Sequence, residues 1–222
     1  ILITHTNMSI RILPFRQYSD NDVVNLYKLD TNSVLDSTTD VGSGDAGVFV
    51  SITNGDFNAD PVTYQTNSYL GDSSYPYLGT TEMYPEVNLT VNAATSGQTP
   101  LGITLMQTAK NDENGEKLLY NPTKQTELQA ALPGQAVPIA TKGIFTLSSS
   151  GFDGDAVDYP IGSPVRMSHT NPGKITGMSP VANPGGHGHN HATSGHFGMI
   201  IGTGTRTNQG PTSDQFLGYR EA

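Results

Sequence analysis

The 222 residues carry 11 Lys and Arg against 20 Asp and Glu, and the resulting formal net charge of −9 disfavours direct nucleic-acid binding, which needs clustered positive charge to release counterions. Only 14% of residues are charged, which excludes a disordered polyelectrolyte, and 25 Gly with 14 Pro argue for many turns and few long helices. The absence of cysteine excludes a disulfide scaffold, a thiolate nucleophile and Cys-ligated zinc, and no apolar run reaches the ~18–20 residues of a membrane helix, so no membrane partner is expected.

At the start, Met8-Ser9-Ile10 reads like a translation start preceded by seven residues. No basic stretch followed by an apolar one opens the sequence, so no secretory signal is expected. Residues 1–47 read as an N-terminal arm with a short helix, and 48–222 as a β-rich domain. Within the arm, Ser19 with Asp22 three positions on approximates an N-cap. Val23, Leu26 and Tyr27 then share one helical face at i, i+3, i+4. At most two turns are expected there.

From Val48 the period changes to two. Val48–Thr53 reads as a strand ended by the turn signal Asn54-Gly55. Residues 56–86 form a polar, tyrosine-rich excursion, and alternation resumes over Glu86–Val91. Leu101–Met106 is a further strand, followed by a polar turn at Asn111–Glu116. Asn121-Pro122 supplies an N-cap and a first-turn proline, predicting one helix to Leu132. Leu128 and Leu132 should share its apolar side, ended by Pro133-Gly134. Val137–Ala140, Gly143–Leu147 and Phe197–Gly202 read as strands. Gly134-Gln135-Ala136-Val137 leading to Gly143-Ile144-Phe145-Thr146 resembles Gly162-Ser163-Pro164-Val165 leading to Gly173-Lys174-Ile175-Thr176. The two phrases predict two hairpins of similar shape.

Chemistry is sparse. His187, His189 and His191, at period two in a Gly-rich run, would share one side of an extended segment, with His196 beyond. Such imidazoles could ligate a transition metal, above all where a threefold axis brings chains together. A solvated loop is the alternative, since no second shell is evident. Asp153-Gly154-Asp155-Ala156-Val157-Asp158 lacks the order of a calcium loop and reads as a hairpin turn. Gly42–Gly47 and Gly202-Thr203-Gly204 lack the Lys-Ser/Thr of a phosphate loop. No serine sits in a nucleophile elbow. The chain is therefore not expected to be an enzyme or to hold a cofactor.

Leu101-Gly102-Ile103-Thr104-Leu105, then Pro133–Ile139 and Lys142–Leu147, resemble head decoration (cement) proteins of tailed bacteriophages. Gly162–Val165, Gly173–Gly177 and Phe197–Gly202 continue the resemblance. The opening Leu13–Leu26 is similar to the N-terminus of virion structural proteins of the same phages. The resemblance implies a small antiparallel β-barrel or β-tulip, a homotrimer, and binding outside the head to the major capsid protein. It implies no catalytic residues. Pro14, Phe15, Tyr18, Leu26 and Tyr27 are the expected capsid-contact residues. Deleting residues 1–30 is expected to leave a folded domain that no longer binds heads. The alternative is a tail fibre or collar component binding a host receptor, with the histidines holding a metal on a threefold axis.

Overall fold

The computed structural model describes residues 11–30, 44–57, 62–64, 85–112, 114–154, 159–178, 196–206 and 214–220. Among them the chain is mainly β with one α-helix, as expected. The sheets stay open, however, and none closes into a barrel.

Sheet A has six strands in the order β1 (Ile12–Gln17), β12 (Ile144–Leu147), β16 (Asp214–Arg220), β15 (Gly198–Arg206), β13 (Pro164–Met167), β14 (Ile175–Gly177). Sheet B also has six, in the order β2 (Val23–Val24), β11 (Ile139–Ala140), β8 (Gly102–Thr104), β4 (Phe49–Asn54), β7 (Thr90–Ala93), β3 (Lys28–Leu29). Two small pairs complete the set: β5 (Val62–Tyr64) with β6 (Pro85–Val87), and β9 (Gln107–Thr108) with β10 (Ala130–Ala131). Neighbouring strands are antiparallel except β3 with β7 and β9 with β10.

Period two sorts side chains between two cores. On β4 and the residue before it, Phe49 enters one cluster while Val48 and Val50 enter another. On β11, Ala140 and Ile139 divide in the same way. The first cluster joins sheet B to Phe145, Leu147, Val165, Met167, Ile175 and Ile200 of sheet A. The second covers the opposite face of sheet B with Tyr27, Leu89 and Val137. Sheet B is thus the middle layer, buried on both faces along Val48–Val50 and Ile139–Ala140. Each full-size side chain so buried contributes about 1.5–3 kcal/mol. A third, smaller cluster unites Leu118, Ala130 and Leu132.

The two similar glycine phrases fold differently. Pro164–Met167 and Ile175–Gly177 do form a hairpin. Its turn docks on sheet B, where Gly173 donates to the Ala94 carbonyl and accepts from Phe49. A Cβ on Gly173, at φ +74°, would stand 2.5 Å from a Val48 methyl. By contrast, β11 and β12 do not pair. The turn between them carries the chain from sheet B to sheet A. Gly143 makes this possible, because a Cβ there would lie 2.7 Å from the Gln17 carbonyl oxygen.

The helix α1 spans Pro122–Glu127, shorter than expected. Asn121 does cap it, accepting from Lys124 N at 3.4 Å. The chain then turns at Gln129, whose φ of +49° ends the helix. Leu132 reaches the third cluster from beyond β10 rather than from the helix.

Residues 11–30 are built into the fold. Strand β1 pairs with β12, β2 with β11, and β3 with β7. The expected helix is a single 3₁₀ turn at Asp20–Asp22, capped by Ser19 through Asn21 N at 3.3 Å. Arg11 and Asp45 form a buried ion pair, Nε to Oδ2 3.3 Å, that ties β1 to the loop before β4.

Candidate binding surface

Strand β1 is an edge of sheet A, and it carries a bulge. Ile12 lies opposite Leu147 and Arg16 opposite Phe145, so β1 takes four steps where β12 takes two. The surplus falls on Leu13–Phe15. A proline fits there because it needs no ladder donor, and a bulge re-aims the side chains it contains. Pro14 is exposed, and Phe15 is 75% exposed.

Past the bulge the chain borders a groove of about 720 Å³. One wall is the segment from Arg16 to Asn25, and the other is α1 with Gln129. The apolar lining residues are Val23, Leu105, Met106, Pro122, Ala130 and Pro138, of which Leu105 and Ala130 are buried. The polar lining residues are Arg16, Asp20, Asn25, Gln125, Thr126 and Gln129. Tyr18 is half-buried at the wall. Its ring stacks on Phe145 with centroids 6.0 Å apart, and the Arg16 guanidinium lies 5.9 Å from its centre. Gln125 is committed to structure, its Nε2 donating to the Ala130 carbonyl at 3.1 Å. Thr126 Oγ1 likewise donates to the Pro122 carbonyl.

The expected contact residues therefore divide. Pro14, Phe15 and Leu26, the last 50% exposed, are presented to solvent. Tyr18 supports the groove. Tyr27 is 8% exposed and packs in the second core, so it is a structural residue rather than a contact. Leu26 is exposed and Tyr27 buried, and the chain is not helical here.

His187, His189 and His191 lie outside the described residues. His196 is described and exposed. Among the described residues no three His, Cys, Asp or Glu side chains are grouped to hold a metal ion. No helix among them is long and apolar enough to cross a membrane.

Sequence reasoning missed two features. The groove is one, because its walls come from segments distant in the chain. A polar network is the other. Buried Ser168 donates to Asp153 Oδ2 and accepts from Thr170 N at 3.1 Å and Asn171 N at 2.9 Å. Asn171 Nδ2 closes the ring on Asp153 Oδ1 at 3.0 Å. Ser168 is 1% exposed, and its hydroxyl oxygen is engaged by two amides, so this arrangement pins a turn. Alternating carboxylates near Asp153 were the one visible signal for it.

A second apolar surface lies on the outer face of sheet A. Ile200 faces the core, so Met199 and Ile201 face outward, each 40% exposed. Gly162 N donates to the Ile200 carbonyl, which brings 67%-exposed Ile161 alongside.

Comparison with protein families, curated proteins and solved structures finds no match to this chain.

Proposed function

We propose that this chain is a structural protein of a tailed-phage virion. In this reading it binds the outer surface of the head, contacts the major capsid protein, and stabilises the shell as a homotrimer. The observation that carries the proposal is the bulge of β1. Edge strands are commonly protected from stray pairing by proline, by charge or by a bulge. Pro14 and the bulge fit protection, but a phenylalanine 75% exposed at the same point does not. An exposed aromatic on a sheet edge suits docking, because aromatic anchors dominate interface energetics. Leu26 adds apolar area from the same segment. The outer face of sheet A, with Ile161, Met199 and Ile201, is the surface assigned to trimer contacts.

The physical role follows from linkage. A protein that binds only the assembled shell stabilises it, and repetition over the head multiplies modest contacts. The test adds purified chain back to heads lacking it and counts bound copies. Phe15→Ser should leave the melting temperature unchanged and weaken head binding about tenfold or more. Full occupancy by the Phe15→Ser protein at the wild-type concentration would remove the support for this surface.

A further inference from the structure

The geometry points to the groove between β1 and α1 as a binding site for a neutral oligosaccharide. This site is independent of the virion reading and rests first on uncommitted side chains. Among the described residues, Arg16, Asp20, Asn25 and Gln129 have no side-chain hydrogen bond or ion pair, although all four line one concavity. The Arg16 guanidinium lies 5.9 Å from the centre of the Tyr18 ring. The volume, about 720 Å³, falls within the range of small-molecule sites.

Gln129 supplies a second, separate observation. It occupies the position just past the helix C-cap Leu128, where a left-handed residue ends the helix. Glycine is the usual occupant because it has no Cβ to strain. Gln129 is the one described non-glycine residue with positive φ. A residue that breaks a local rule without a structural bond for its side chain points to a role toward a ligand.

The ligand class follows from the lining. Asp20 and the net charge of −9 oppose an anion. Arg16 at the wall opposes a cation. A wholly apolar ligand would cover the floor but leave the rim groups, exposed Asp20, Asn25 and Gln129 and half-buried Arg16, without a partner. Each free carboxamide presents a donor and an acceptor, which together match adjacent hydroxyls. Arg16 donates and Asp20 accepts, and their charges cancel. The apolar floor of Leu105, Met106, Ala130 and Pro138 suits the hydrocarbon face of a sugar ring. Hydroxyl edges with an apolar face and no net charge describe a neutral oligosaccharide.

The test titrates the full chain with tetrasaccharides of α-glucose, β-glucose and β-N-acetylglucosamine while backbone amide shifts are recorded. An oligogalacturonate and an uncharged hexapeptide are run in parallel. Saturable binding of a neutral saccharide is expected, with shifts confined to residues 16–25 and 125–130. Gln129→Gly should raise the melting temperature by about 2–4 °C and weaken that binding at least about tenfold. Asn25→Ala should weaken it with no change in melting temperature. Binding of the galacturonate or the peptide alone would overturn the proposal. So would neutral-sugar binding with shifts elsewhere, unchanged affinity in both variants, or no binding by any of the three tetrasaccharides.

Discussion

Gly102 isolates one steric requirement of the middle sheet. It lies on β8 between β4 and β11, opposite Val50. Its φ is outside the left-handed region, so alanine is conformationally acceptable there. The obstacle is space. A Cβ would press into the Ala140 carbonyl, 2.8 Å from the carbon and closer still to the oxygen, and 3.0 Å from Ile139 Cγ2. The oxygen belongs to the neighbouring strand and cannot rotate away as a side-chain tip can. Overpacking of this kind costs about 1–3 kcal/mol, and backbone resistance places Gly102→Ala at the upper end. Alanine also lowers the entropy of the unfolded chain, which returns about 0.4–1 kcal/mol. The net loss should be about 2 kcal/mol, or about 4–8 °C in melting temperature for a chain of this length.

Gly204→Ala is the matched control. Gly204 of β15 pairs with Phe216 of β16, its φ is ordinary, and nothing lies within 4 Å of an added Cβ. It should be neutral or stabilising by up to about 1 kcal/mol. Urea unfolding followed by circular dichroism reads both variants on one scale. If Gly102→Ala falls within about 0.5 kcal/mol of wild type, the close approach of β8 to β11 is wrong.

Arg11→Ala should cost about 2–3 kcal/mol, because it removes a charged partner from the half-buried Asp45 carboxylate and the buried packing of the Arg11 stem. The double variant Arg11→Met/Asp45→Leu should recover most of that loss, and urea midpoints of both test the pair. Ser168→Ala removes the acceptor of two amides and the donor to Asp153. It should cost about 2–3 kcal/mol and speed amide exchange at Thr170 and Asn171.

Local rules read well wherever a single residue type decides. Asn121-Pro122 marks the start of the helix because capping and a fixed φ act within a few residues. The start of β4 is legible because Val48, Phe49 and Val50 are apolar and sort between the two buried faces of sheet B, while Ile52 to Asn54 run out to solvent. The helix end was hidden by Leu128 and Leu132, whose i, i+4 spacing suits a helix that in fact stops before them. Val23, Leu26 and Tyr27 misled in the same way. Val23 and Val24 instead pair with β11, where β-branched residues pack well. Two glycine phrases looked alike because glycine reports a bend and not its destination. One turn stays in its sheet and the other changes sheets. The groove and the Arg11–Asp45 pair left no signal, since each depends on segments joined only by the fold.

Residues 11–30 join folding to docking, and this changes how the role of the arm must be tested. Deleting them was expected to spare the domain. The structure puts Ile12 in the first core and Tyr27 and Leu29 in the second. Losing those three side chains alone forfeits about 5–9 kcal/mol of burial. The deletion also strips three edge strands: β1 from sheet A, and both edges, β2 and β3, from sheet B. Asp45 loses Arg11 as well. A domain is stable by only about 5–15 kcal/mol, so the deleted chain should not fold, and amide spectra should show collapse of dispersion throughout. A well-dispersed, cooperatively melting 31–222 fragment would refute this account of the layers. Loss of head binding by an unfolded fragment says nothing about contacts. The informative substitutions are at Pro14, Phe15 and Leu26, whose side chains face water while their neighbours Ile12, Tyr27 and Leu29 hold the sheets.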